Sequence, residues 1–115
     1  MRIGSILEDH KNEKRIAITP EIVKKYLSLG FDISLNENYG SHIGIDDEEY
    51  KKLGVEILKD QNQVLTKSDV IVQLGMLSDE KISFIEENTI LIGIFNPYDN
   101  KEKLKNLIKK KINIF

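Results

Sequence analysis

Three places in this chain carry side chains that can do chemistry on a ligand. The first is Arg15, inside Glu13-Lys14-Arg15-Ile16-Ala17-Ile18-Thr19-Pro20. The second is Gln73, at the end of an apolar run. The third is Asn96, in Asn96-Pro97-Tyr98. A guanidinium holds a carboxylate or phosphate bidentately, and an amide both donates and accepts. Each has a plainer reading. Arg15 can form a surface ion pair with Glu13 or Glu21, and Asn96 can start a turn before Pro97. His10 and His42 are far apart in sequence and fall in no metal-ligand pattern. A Gly-flanked His42 can face a cleft, though an exposed ring is the simpler expectation. Asp46-Asp47-Glu48-Glu49 has the look of a carboxylate cluster, but at a helix start such charge answers the helix dipole. Lys109-Lys110-Lys111 suits a helix end for the same reason. No G-x-G-x-x-G and no phosphate-binding loop motif is present.

The elements that must position these residues alternate. Residues 3–7 read as a strand and residues 8–14 as a polar surface loop. Thr19 caps a helix whose first residue is Pro20, where the missing N–H costs nothing. Gly30 ends that helix. Phe31, Ile33 and Leu35 alternate with Asp32, Ser34 and Asn36, which predicts a strand near an edge with one face covered. Asp46 opens a short helix stopped by Gly54, then residues 55–58 form a strand. Asp60 caps a helix through Leu65. Residues 69–74 read as a central parallel strand, and Ser78 opens a helix to about Glu87. Residues 89–95 are the most apolar strand, on both faces, followed by a turn at 96–100. An amphipathic helix spans 101–110, with Leu104, Leu107 and Ile108 inward. Ile112, Ile114 and Phe115 begin a last strand. The expected architecture is α/β, a mostly parallel twisted sheet with helices on both faces, of Rossmann or flavodoxin-like type. Because the chain stops within an apolar strand, this sheet is expected to be incomplete at its C-terminus and to continue elsewhere.

Length and composition are consistent with that picture. The 115 residues suit one domain spanning 1–115. Hydrophobic content of 40% and charged content of 31% fit a globular protein. A net charge of −2 gives no basic field for nucleic acid. With no cysteine, disulfide scaffolds, thiolate nucleophiles and cysteine-ligated metals are excluded, and a reducing compartment is expected. No segment reaches the roughly 20 apolar residues of a bilayer span, so a membrane role requires another chain as anchor.

The same residues carry a resemblance. Met1-Arg2-Ile3-Gly4, the Glu13 to Pro20 stretch, Gly30-Phe31, Asp46 to Tyr50, Gly54 and the run from Thr89 to Tyr98 resemble the N-terminal domain of one family. It is shared by alanine dehydrogenase and the alpha subunit of proton-translocating NAD(P) transhydrogenase. Within it, Asn96-Pro97-Tyr98 is similar to the transhydrogenase version, where alanine dehydrogenases carry a catalytic histidine. Gly75 stands where alanine dehydrogenases have a substrate lysine, and Gln73-Leu74-Gly75-Met76-Leu77 departs from both branches.

The resemblance implies a two-domain parent subunit whose Rossmann domain, missing here, binds NAD(H). NADP(H) is held by another component, and hydride transfer is coupled to proton translocation through a membrane component. Arg15 and Asn96 then line the interdomain cleft, Gln73 is a possible cofactor contact, and no metal is called for. The isolated chain is expected to be inactive and to bind neither nucleotide. The parent is expected to be a homodimer in the cytoplasm, peripheral to the inner membrane when assembled. An alanine (amino-acid) dehydrogenase fragment and a non-catalytic binding or assembly module of the same fold are the alternatives.

Overall fold

The computed structural model describes residues 1–11, 13–93 and 100–115. Its elements run β1 (Arg2–Ser5), α1 (Pro20–Ser28), β2 (Asp32–Asn36), a 3-10 turn (Ser41–Ile43), α2 (Asp47–Leu53) and β3 (Glu56–Leu58). They continue as α3 (Gln61–Lys67), β4 (Val70–Gln73), α4 (Asp79–Ile82), β5 (Ile90–Gly93), α5 (Lys101–Lys109) and β6 (Asn113–Ile114). The sheet order is β3-β2-β1-β4-β5-β6. Every pairing is parallel, with Ile3 beside Ile33 on one side and Val70 on the other. This is the doubly wound arrangement anticipated from the alternation, and it puts a reversal of winding between β1 and β4.

Strand side chains alternate between two cores. Ile3, Ile33, Leu35 and Val70 pack with Val23 of α1 and Tyr50 of α2. On the other face Ile71 and Leu91 pack with Val64 and Leu65 of α3, Ile82 of α4 and Leu107 of α5. Gly4 has a specific reason to be glycine. A Cβ there would lie 1.9 Å from Ser68 Oγ, which is tied to the Val64 carbonyl where α3 ends.

The helix punctuation reads as the sequence indicates. The Thr19 side chain accepts from Ile22 N–H, and Gly30 and Gly54 take φ of +92° and +105° after their helices. Asp60 and Ser78 accept from backbone N–H groups in the first turns of α3 and α4.

Several expectations are corrected. β1 ends at Ser5, not residue 7, because side chains intercept its next amides: Ile6 N–H goes to Gln73 Oε1 and Leu7 N–H to Asn36 Oδ1. β2 has both faces covered. Its polar residues Ser34 and Asn36 are buried because α3 lies over them, and they bond to Arg2, Leu7 and Glu37. α4 stops at Ile82 instead of Glu87: the chain tightens there, with Phe84 N–H on the Lys81 carbonyl and Ile85 N–H on the Ile82 carbonyl, and Lys110 Nζ caps the Ile82 and Ser83 carbonyls at 3.0 and 2.7 Å. Ile108 points to solvent. α5 gives way at Lys111, with φ +62°, to a turn that brings Ile112 into the core instead. β5 has one well-covered face, for Leu91 is buried while Ile92 is exposed. Its expected extension to Phe95 and the turn from Asn96 lie outside the described residues.

Candidate ligand cleft at the carboxyl ends of β1 and β4

In open α/β sheets a crevice forms beyond the strand ends where the winding reverses. Here that point lies between β1 and β4. A cavity of about 550 Å³ opens there, lined among others by Glu8, His10, Lys11, Gly75, Ser78 and Lys81. Lys11 and Lys81 bring cations to it, Glu8 and Asp9 bring carboxyl groups, and His10 brings an imidazole.

Glu8, read from sequence as a surface loop residue, forms the floor. It is buried, and three donors meet its carboxyl group: Leu74 N–H at 2.9 Å, Gly75 N–H at 2.9 Å and Gln73 Nε2 at 3.0 Å. Burial pushes its pKa above the ordinary 4.5, and the Leu74 and Gly75 N–H groups partly offset that rise.

Gln73 is buried, and its amide is bonded within the chain. Nε2 donates to the Ile6 carbonyl and to Glu8, while Oε1 accepts from Ile6 N–H and lies 3.0 Å from Ser5 Oγ. Its bonds join β1 to β4 after their ladder ends. The side chain lies at the wall of the crevice.

Arg15 sits on the long connection between β1 and α1. The inner part of that connection is fixed by two buried tyrosines. Ile18 N–H donates to Tyr39 Oη at 3.2 Å, and Tyr50 Oη donates to the Ile18 carbonyl at 2.8 Å. Counting donors orders the next links. Tyr39 donates to Ser5 Oγ at 2.8 Å, and Ser5 donates to the Val72 carbonyl at 2.6 Å. Burial pushes the Tyr39 hydroxyl up to about 12 and raises Tyr50 as well, so both stay neutral donors.

The outer part is open. Arg15 is 72% exposed in its side chain and forks onto Glu13, with Nε–Oε1 at 2.8 Å and Nη2–Oε2 at 2.9 Å. That hydrogen-bonded guanidinium holds the Glu13 carboxyl down at about 2. Glu13 is one of the two partners foreseen for a surface pair. The pairing also shows the guanidinium already arranged to receive a carboxylate.

His10 and His42, distant in sequence, stack with ring centroids 3.9 Å apart. His42 Nε2 lies 2.7 Å from the Lys14 carbonyl. No short-range signal announces this pair, because it depends on the loops after β1 and β2 meeting. Asn96, the remaining sequence candidate, lies outside the described residues.

A doubly wound fold puts a dinucleotide pyrophosphate at the N-terminus of the helix after β1. In this chain that helix start is closed. Pro20 has no N–H, Thr19 Oγ1 occupies Ile22 N–H, and Glu21 adds negative charge in the first turn. These residues do not fit a pyrophosphate. Among the described residues no cluster of three or more His, Cys, Asp or Glu could hold a metal ion. No helix among them is long and apolar enough to cross a membrane.

Residues 5–115 match the family model described as "Alanine dehydrogenase/PNT, N-terminal domain". The chain belongs to this family. It is 32% identical over 114 residues to "NAD(P) transhydrogenase subunit alpha" of Haemophilus influenzae, covering 99% of this chain and 22% of the relative. It is 30% identical over 112 residues to "Alanine dehydrogenase" of Methanococcus maripaludis, covering 97% of this chain and 30% of that one. Among solved structures, transhydrogenase from Sinorhizobium meliloti superposes with a TM-score of 0.91 at 30% identity, over 100% of this chain and 34% of the other. An L-alanine dehydrogenase superposes with a TM-score of 0.90 at 16% identity, over 99% and 31%, which shows the shared fold. The chain thus spans a third or less of the length of most of these relatives, and 34% of the Sinorhizobium protein.

Proposed function

We propose that this chain is the N-terminal portion of a proton-translocating NAD(P) transhydrogenase alpha subunit. The observation that carries the reading is the 32% identity, across 99% of the chain, to a transhydrogenase alpha subunit. The 0.91 superposition on a transhydrogenase supports it. Gly75 weighs against the alanine dehydrogenase alternative. It lines the crevice but brings no cation to it, where the resemblance calls for a substrate lysine.

In this reading the chain forms one wall of an interdomain cleft. NAD(H) and NADP(H) are held by other domains or subunits, and hydride passes between them with coupled proton translocation. The assembled enzyme is cytoplasmic and peripheral to the inner membrane, as a homodimer. Arg15 is the cleft-wall cation. It exchanges its Glu13 carboxylate for an anionic group that reaches the strand ends. Asn96 joins it through the resemblance of Asn96-Pro97-Tyr98. The closed start of α1 supports the expectation that the isolated chain neither binds nucleotide nor turns over.

Reconstitution tests the proposal. The chain is combined with the remaining domains of a transhydrogenase, and hydride transfer from NADH to an NADP+ analogue is followed by absorbance. Transfer that requires the chain is expected. A reconstituted enzyme equally active without it contradicts the reading. Calorimetry with NADH on the chain alone is expected to show no heat of binding, and micromolar affinity contradicts that expectation.

A further inference from the structure

His42 stands on a turn built by the backbone. Ile43 and Ile45 N–H both bond to the Gly40 carbonyl, and Gly44 closes the turn at φ +83°. Gly40 cannot gain a Cβ without coming within 2.9 Å of the Ile45 Cβ. The imidazole therefore projects from a defined base. It reaches across to the loop after β1 and meets the Lys14 carbonyl at 2.7 Å. A carbonyl only accepts, so His42 Nε2 carries the proton in this contact, in the neutral ring or the cation alike. The His10 ring stacks on it at 3.9 Å with 30° between planes, so a second residue of the same loop braces the imidazole.

The Lys14 carbonyl belongs to the peptide unit whose N–H is that of Arg15. That N–H donates to Glu13 Oε1 at 3.0 Å. Both polar atoms of the peptide unit entering Arg15 are thus held, one by His42 and one by Glu13. The guanidinium beyond it is exposed. Its aim is set on one side by this peptide unit and on the other by Ile16 and Ala17, which pack against the core ahead of the anchored Ile18.

We propose that His42 is a positioning residue for Arg15, gripping the Lys14 carbonyl while His10 braces its ring. The loop after β2 thereby sets the direction in which the loop after β1 presents its guanidinium to an anionic ligand. That use of Arg15 rests on the function proposed above; the grip itself does not.

The test is nuclear magnetic resonance on the 115-residue chain, reading the Arg15 amide in the parent, His42→Ala and His42→Gln. His42→Ala is expected to shift the Arg15 amide resonance and to speed its solvent exchange by about three- to tenfold, the range for one lost hydrogen bond. The Ile33 and Ile71 amides of the sheet are expected not to change. His42→Gln keeps a side-chain N–H for the carbonyl and is expected to bring the Arg15 rate back toward the parent. An Arg15 amide unaffected by His42→Ala overturns the proposal, and so does a His42→Gln chain that exchanges as fast as His42→Ala. Neither measurement needs turnover. An inactive reconstituted enzyme therefore contradicts the proposed function alone, and an unaffected Arg15 amide contradicts the positioning role alone.

Discussion

The connection from β1 to α1 has two parts that differ in almost every physical respect. The inner part, around Ile18, is buried and held by Tyr39 and Tyr50. The outer part, around Arg15, is exposed, and the bonds that hold it run to surface side chains. The inner part is set by a relay, Ile18 to Tyr39 to Ser5 to Val72, in which Tyr39 and Ser5 each accept and donate. Such a relay in a low-dielectric interior is rigid, and breaking one link strands its neighbours. The outer part gains little from its ion pair, because solvent screens it. The connection thus carries an exposed guanidinium on a buried root. The root of the loop is fixed and the tip is left free to change partners.

That contrast can be broken most forcefully at the root. Tyr50→Ala removes a fully buried ring and the donor to the Ile18 carbonyl, and is expected to cost about 3–5 kcal/mol in chemical denaturation. A loss near that of an exposed residue contradicts the anchoring role. Gln73→Ala comes next. It strands Ile6 N–H and removes one donor from Glu8, with an expected cost on the order of 3 kcal/mol in the same measurement. If Gln73 served a ligand instead of the fold, the unfolding midpoint is unaffected.

Glu8→Gln is a finer probe of the crevice floor. A glutamine has one acceptor oxygen where the carboxylate meets three donors, so a cost of about 1–3 kcal/mol is expected near neutral pH. The sign with pH follows from the burial. The carboxyl is raised above 4.5, so the folded chain binds its proton more tightly than the unfolded chain. The stabilisation from that proton is full below pH 4.5 and is lost as pH rises through the raised value. Glu8→Gln has no such proton, so the parent is expected to lose stability relative to the variant on going from about pH 4 to about pH 8. Parallel pH curves for the two chains rule out the titration.

Much of the fold is legible because its signals are local. Thr19-Pro20, Gly30, Gly54, Asp60 and Ser78 mark helix ends through contacts within a few residues, and the alternation of elements implies the parallel sheet. The strand ends and the crevice are not legible in this way. Gln73 reaches Ile6 across 67 positions and Glu8 reaches Leu74 across 66, so no pattern in either segment announces the bond. The polar alternation of β2 has the look of a solvent face because sequence shows polarity but not what satisfies it; Ser34 and Asn36 bond inside the protein. Ile108 fits the helical stripe, but the turn at Lys111 supplies Ile112 in its place. For Arg15 the residue and its partner Glu13 are both readable, being two positions apart.

The claim that joins these regions is that Arg15 serves a ligand and not the fold. The direct measurement is Arg15→Ala, followed both by thermal unfolding of the chain and by hydride transfer in the reconstituted transhydrogenase. The expected result is an unfolding midpoint indistinguishable from the parent and turnover reduced by about tenfold or more, as for a lost charge-assisted contact. Unchanged turnover contradicts it and makes Arg15 a surface charge paired with Glu13.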